Sequence, residues 1–414
     1  MVQSVLGSLT LGYRPLWNGA RQLAGIQLYV QDLPGSYVDA PHLLRTLQEM
    51  WSASSPPLLI SPQSRQLLLQ LLQQAPRGSP WIEVRGQWLG DSSLLEQVRQ
   101  AYRRGLRLVW RGELSDLPGG DIAACFDNSL LSLSPAEAVG ALQSSASTGQ
   151  RGVRASPILD GQMYENLPTV ALLSLCLDRH RAVAVAGWPS DDVLYSLRHQ
   201  QLQPSHATIF KLMKAIDAEQ SLDSFEHILS EDPLLAYRFL TYTNSAALGL
   251  RTGIDSLRRG LVMLGYGTLQ RWLGDQLPHA STDPNLSPIR QTMVLRAQLM
   301  ERLVEAGIEY ELRREVYLTG LLSQLDTLMD EPIATILRRL PLSERISDAI
   351  VLRSGPYAPA LQIACALETD DASVVRQLCE THEMDTESVN RALLRLLSEL
   401  HVERPRPGQP TGSR

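Results

Sequence analysis

Metal-assisted hydrolysis needs anionic oxygens and imidazoles brought together at short, repeated spacing, because a hard divalent cation must be held by several donors at once. The chain has eight His and 44 acidic residues, so donors are plentiful and only their arrangement can select a site. In its second half His206, His227, His279, His382 and His401 are each followed by a residue other than Asp, so the adjacent His-Asp pair that suits a hydrolytic cation is missing. Asp160, Glu165 and Asp370-Asp371 stand at no metal-ligand spacing from any His, and Asp326 is a single carboxylate on a helical stretch, the pattern of a solvated surface residue. Cys125, Cys176, Cys365 and Cys379 are too far apart for paired-Cys zinc binding and lie in apolar surroundings, so buried free thiols are expected. Gly265-Tyr266-Gly267 lacks the Lys and the strand–loop–helix setting of a phosphate loop and reads as a helix stop.

Two kinds of element must position these side chains. Before residue 200, short apolar runs alternate with helical periods, the signature of repeated strand–helix units around a mostly parallel sheet. The expected strands are 23–30, 58–61, 81–84, 106–110, 122–126, 153–156 and 182–186, with helices at 42–51, 64–74, 94–103, 135–142 and 163–178. Seven strands in about 200 residues predict a shortened (β/α) barrel, since a full one takes about 250. From Ala207 to Leu400 the pattern is helical throughout, and residues 189–206 join the two parts. Within the helical half, Asp232 is placed to cap a helix that Pro233 begins, Leu235 and Phe239 follow at helical spacing, and Ile254-Asp255 opens another helix that closes at Gly265. Asn244 and Ser245 are helix-ending, hydrogen-bonding types, and a C-terminal cap is preferred to a partner contact for them.

Bulk composition narrows the function classes. The formal charge of −6 gives no electrostatic footprint for nucleic acid or for an anionic membrane surface. No apolar run reaches the roughly 18–20 residues that span a bilayer, and the first residues lack a basic stretch ahead of an apolar one, so a cytoplasmic location is expected.

The same Asp232–Gly265 stretch, with Asp232-Pro233, Asn244-Ser245 and Gly265 in order, resembles the HDOD family, whose helical domain is related to metal-dependent HD phosphohydrolases. In related domains a helix reads Gly-Leu-Leu-His-Asp-Ile-Gly; here Gly320-Leu321-Leu322 is followed by Ser323-Gln324, so the resemblance implies a domain without the metal dyad. Gly12-Tyr13-Arg14-Pro15-Leu16-Trp17-Asn18 followed by Leu23-Ala24-Gly25-Ile26-Gln27-Leu28 resembles the opening of EAL domains, barrel enzymes that hydrolyse cyclic di-GMP. Carried over position by position, that resemblance puts Gln27 at the metal-binding Glu, Gln31 at the phosphate-facing Arg, Ser61 near the second-strand Asn and Arg111-Gly112 at an Asp-Asp pair. It puts Cys125 at a Lys, Gly86 at a loop-ordering Glu and Arg14 at an early Gln, and it leaves Glu83 and Asp127 as the surviving carboxylates. An EAL-like barrel ahead of an HDOD domain, together with Leu340-Pro341-Leu342-Ser343, resembles the YuxH-like signalling subgroup.

The expected organisation is α/β plus all-α: a shortened, degenerate EAL-type barrel over residues 1–203, an all-helical HDOD domain over 204–400 and a disordered tail over 401–414. The expected function is signal transduction through protein–protein contacts, linked to cyclic di-GMP, in a chain that is not an enzyme and has no catalytic, metal or cofactor-binding residues. A cyclic di-GMP receptor without hydrolysis and a residual phosphodiesterase are the alternatives. The partner's identity, homodimer formation and the domain arrangement stay open; Gln31 and Arg14 speak against cyclic di-GMP binding, and neither nucleic acid nor membrane is expected as a partner.

Overall fold

The computed structural model describes residues 5–32, 38–146, 156–248, 253–304 and 310–402. The chain forms two compact units, one of Met1–Leu167, Ala171–Gly187 and Leu394–Arg414, the other of Pro168–Val170 and Trp188–Leu393.

The first unit is a closed barrel of eight strands in sequential order. These are β1 (Leu9–Trp17), β2 (Leu23–Asp32), β3 (Leu58–Pro62), β4 (Trp81–Arg85), β5 (Leu108–Glu113), β6 (Asn128–Ser132), β7 (Met163–Glu165) and β8 (Ala184–Ala186). β1 runs antiparallel to both neighbours and all other pairs are parallel, as helical crossovers require. The β1–β2 hairpin turns at Asn18, whose side chain accepts from Ala20 N (2.9 Å) and Gln22 N (3.1 Å). It sets Arg14 opposite Gln27 and Leu16 opposite Gly25. Strand side chains alternate between the barrel interior and the surrounding shell. The interior is floored by a buried apolar cluster of Leu16, Leu59, Val109, Leu130, Met163, Ala184 and Ala186, with Trp81 packed against it. One step further along each strand the inward positions turn polar.

Three expectations about this unit need correction. Residues 122–126 form no strand: Ile122 N and Ala123 N donate to Gly119 O (2.9 and 3.0 Å), which starts the short helix Gly120–Ala123, and the pairing strand is β6 further on. Residues 163–178 are not one helix, because β7 takes the first three and Pro168, which disfavours helical geometry before it, separates them from the helix Val170–Ser174. The barrel has eight strands where seven were expected, and β1, β6 and β7 are not among the expected ones. The expected strand at 153–156 falls, except for Ser156, outside the described residues, as does the expected tail from residue 403.

The second unit is helical. Its longer members are Ser190–Leu197, inside the stretch read as a join, then His206–Asp217, Leu222–Leu229, Pro233–Thr243, Leu257–Gln276, Leu286–Leu303 and Tyr310–Leu322. After shorter turns come Ala358–Leu367 and Ala372–Thr381. Small residues allow close helix contact: a Cβ at Gly260 would lie 2.6 Å from the Phe239 ring, and one at Gly320 would lie 2.6 Å from Ala297 Cα. Leu257–Gln276 bends at Gly265, whose φ of 67° and ψ of 164° interrupt the helix where a stop was expected. Among the described residues no helix is long and apolar enough to cross a membrane.

Candidate functional site

At the C-terminal ends of the parallel strands, where (β/α) barrels carry their chemistry, the inward-facing residues form one connected polar layer. Gln27 on β2 donates from Nε2 to Glu83 Oε2 (2.7 Å) and Ser61 Oγ (3.1 Å), and accepts from the Tyr29 hydroxyl (3.1 Å). Ser61 Oγ also donates to Glu83 Oε2. Arg111 on β5 lies between two carboxylates: its Nε and Nη2 form a two-pronged pair with Glu165 on β7 (2.8 Å each), and its Nη1 reaches Glu83 Oε1 at 3.1 Å. Two more guanidinium groups border the layer, Arg14 at 3.7 Å from Glu165 Oε2 and Arg85 at 3.8 Å from Glu83 Oε1. Arg14 also donates to Asn166 Oδ1 (3.1 Å) and lies over the Tyr29 ring.

The electrostatics follow from burial. Gln27, Ser61, Glu83 and Glu165 are buried, and a cation and hydrogen bonds compensate the carboxyl groups there. Burial alone would lower the Arg111 pKa; Glu83 and Glu165 outweigh it and hold the pKa above the ordinary guanidinium value. Burial pushes the Tyr29 hydroxyl well above the usual phenol range, so it remains a donor. Among the described residues of the layer, three guanidinium groups face two carboxylates.

This donor set, as arranged, does not fit a pair of divalent cations. Both carboxylates are committed to Arg111, the other inward oxygens and nitrogens are neutral, and no group of three or more His, Cys, Asp or Glu suited to a metal occurs among the described residues. Local packing accounts for glycine at two positions of this layer. A Cβ at Gly86 would lie 2.8 Å from the Trp110 indole and one at Gly112 2.6 Å from it, so the ring takes the room that longer side chains would need.

The residues singled out from sequence separate here. Gln27, Ser61, Glu83 and Arg111 come together, whereas Gln31 stands half-buried at the far end of β2. Asp127 is not part of the layer: its Oδ2 accepts from Leu108 N (3.1 Å) at the start of β5, the opposite end of the strands, and it ties β5 to the loop before β6. Cys125 is buried and donates from Sγ to Asp121 O (3.7 Å). Glu165 was passed over for want of a neighbouring His, yet it carries the strongest geometry in the layer. Its available signal was position, at the end of a short strand just before Asn166-Leu167-Pro168.

In the helical unit, Asp232 is fully buried and caps Pro233–Thr243 as expected, accepting through Oδ1 from Leu234 N (2.9 Å) and Leu235 N (3.0 Å). Its other oxygen accepts from Ser205 N (2.7 Å) and lies 3.5 Å from Arg290 Nε. Asn244 ends the helix, donating to Leu240 O (2.7 Å) and Ile254 O (2.8 Å) and accepting from Ile254 N (2.7 Å), so one side chain ties the helix end to the segment that leads into Leu257–Gln276. Ser245 Oγ is buried without a hydrogen-bond partner. Ser323 Oγ donates to Gly320 O (2.7 Å) and lies 3.5 Å from Arg296 Nη1, while Gln324 leads into the short helix Leu325–Met329. Arg296 itself pairs with Glu368 through Nε (2.8 Å), so the place of a His-Asp dyad is held by a hydroxyl and an ion pair.

Comparison with known proteins places an HDOD domain in this unit: the family model matches residues 202–329, and no part of that match lies in the barrel. The chain is similar to "Cyclic di-GMP phosphodiesterase CdgJ" of Vibrio cholerae serotype O1, at 24% identity over 200 residues that make up 48% of this chain and 46% of the relative. It is also similar to the uncharacterized protein YuxH of Bacillus subtilis, at 22% identity over 200 residues, 46% of this chain and 47% of the relative. The matches thus span about half the length of these curated relatives. A solved structure of the MmoQ response regulator of Methylococcus capsulatus has a TM-score of 0.37 and 16% identity, covering 47% of this chain and 98% of that one. The expectation that the chain is not an enzyme is corrected by the first of these: a relative named as a phosphodiesterase points toward enzymatic activity, which the loss of individual ligands had been taken to deny.

Proposed function

We propose that this chain is a signal-transduction protein of cyclic di-GMP circuits, with an EAL-type barrel whose carboxylate layer is held by Arg111 and an HDOD domain that passes the signal on through contacts with a protein partner. The observation that carries the proposal is the placement of one guanidinium between Glu83 and Glu165. A cation fixed there occupies the charge that a divalent metal would use, so freeing the carboxylates requires Arg111 to move. The excess of guanidinium groups at the mouth suits a phosphodiester anion, which Arg binds through paired donors. The name of the Vibrio cholerae relative supports cyclic di-GMP as that anion and favours turnover as a second reading of the barrel.

The test is incubation of the full chain with cyclic di-GMP and Mn²⁺ or Mg²⁺, followed by separation of the products, beside calorimetric titration of the same nucleotide. Binding or turnover that changes in an Arg111→Met variant is expected. Neither binding nor turnover by either protein would sink the link to cyclic di-GMP.

A further inference from the structure

The helical unit contains a second polar site that neither the capping residues nor the barrel chemistry uses. A cavity of about 1230 Å³ opens beside the helix Pro233–Thr243, and Arg238, Tyr242, Ser245 and Trp272 are on its wall. Each of these does something that packing alone leaves unexplained. Arg238 is half-buried and donates to two neutral oxygens, Gln276 Oε1 (3.1 Å) and Leu202 O (3.3 Å). Among the described residues no carboxylate lies within ion-pairing distance of it. Burial accordingly holds its pKa below the ordinary guanidinium value, with Asp232 opposing the shift from a distance. A cation kept out of water without a counter-ion costs stability, so a chain that retains one beside an open cavity has an anion to gain from it.

The remaining features point to what that anion is attached to. Trp272 is buried and packs edge-on with Phe239, and it stacks on the half-buried Tyr242 with ring centroids 5.6 Å apart and planes 21° from parallel, which leaves the Tyr242 ring as a braced aromatic surface for a further ring. Ser245 Oγ, adjacent to the capping Asn244, is buried and unpartnered on the same wall, a hydroxyl free to bond a ligand oxygen. The other charges do not cancel Arg238: Glu331 is paired with Arg339, Asp191 and Asp330 are exposed, and the exposed Arg198 adds a further cation. A guanidinium with no acidic partner, a tyrosine ring braced by a tryptophan and a buried unpartnered hydroxyl on the wall of one cavity match a planar base carried on a phosphate ester.

We propose that this cavity is a nucleotide site, with Arg238 on the phosphate, the Tyr242–Trp272 stack against the base and Ser245 on a ligand oxygen. The ligand is a nucleoside phosphate, taken either as a free mononucleotide or as half of a cyclic dinucleotide. The site is separate from the barrel layer and stands whether or not the barrel turns over cyclic di-GMP.

Titration calorimetry on the full chain tests this with GMP, cyclic di-GMP, guanosine and inorganic phosphate as probes, on the wild type and on Arg238→Gln, Tyr242→Ala and Arg111→Met variants. GMP or cyclic di-GMP is expected to bind, with guanosine and phosphate each at least tenfold weaker. Arg238→Gln and Tyr242→Ala, each also made in the Arg111→Met background so that any barrel binding is discounted, are expected to weaken at least tenfold the nucleotide binding that survives Arg111→Met, with unchanged circular dichroism. GMP alone binding identifies a mononucleotide site and cyclic di-GMP alone a dinucleotide site, and both support the proposal. No nucleotide binding, binding untouched by Arg238→Gln, or binding lost only in Arg111→Met would overturn it; the last of these would at the same time support the barrel reading.

Discussion

Replacing Arg111 by Met removes the charge from the barrel layer while keeping a side chain of similar length. Glu83 and Glu165, which are 1% and 5% exposed, would then share a buried space without a cation. Removing one partner of a buried ion pair costs about 3–5 kcal/mol. A unit of this size shifts its melting midpoint by about 2–4 °C per kcal/mol, so a fall of roughly 6–20 °C is expected. Five of the seven Trp belong to the barrel unit, so thermal and urea unfolding followed by Trp fluorescence reports mainly on the affected part. Adding Glu83→Gln and Glu165→Gln to the variant is expected to restore part of the loss, because no carboxylate then stays buried without a cation, although Arg14 and Arg85 lose their acidic neighbours. An Arg111→Met protein within about 0.5 kcal/mol of wild type, the range of ordinary surface substitutions, would refute the reasoning.

Asp232→Ala removes a helix cap and the neighbour of the buried Arg290, and a loss of about 3 kcal/mol or more in urea unfolding is expected; under about 1 kcal/mol would contradict the assigned role. Gly320→Ala sets a helix-propensity gain of about 1 kcal/mol against overpacking of about 1–3 kcal/mol where the new Cβ meets Ala297, so a lower urea midpoint is expected and a raised one would show that the helices can separate. For Glu315, burial acts to raise the carboxyl pKa but is outweighed by hydrogen bonds from Arg345, Tyr357 and Ser343, which hold it below the ordinary Glu value. Its contribution is therefore present above about pH 4.3 and lost as the pH falls through the lower folded-state value: Glu315→Gln should be less stable than wild type near neutral pH, with a gap that narrows in acid, and a constant gap would argue against the ionised role.

The helical half was legible residue by residue because its signals are local. Asp232-Pro233 is a start, Asn244 is an end, and the hydrogen bonds that prove them run to residues two to ten positions away. The barrel was legible at the apolar strands β2 to β5 and at β8, which falls inside the expected 182–186, and illegible at β1, β6 and β7. β7 has only three residues, Met-Tyr-Glu, too few to show a period, and Pro168 close behind it hides the change from strand to helix. Residues 122–126 are apolar without alternating, and the turn at Gly119 gives that run to a helix. The polar layer was half legible. Gln27, Ser61, Glu83 and Arg111 could be placed one strand at a time, but the pairing of Arg111 with Glu165 joins residues 54 positions apart, and no spacing rule connects them. Arg111 stands out in sequence only as a residue at the place of an Asp; in the structure it is the cation that pairs with two buried carboxylates.

The most direct measurement is titration of Mn²⁺ into the wild-type chain and into Arg111→Met, by calorimetry at low ionic strength. With Arg111 holding Glu83 and Glu165, removing the guanidinium is expected to tighten Mn²⁺ binding at least tenfold, as two buried carboxylates take the cation in its place. Equal affinity in the two proteins, or tighter binding by the wild type, would contradict that arrangement.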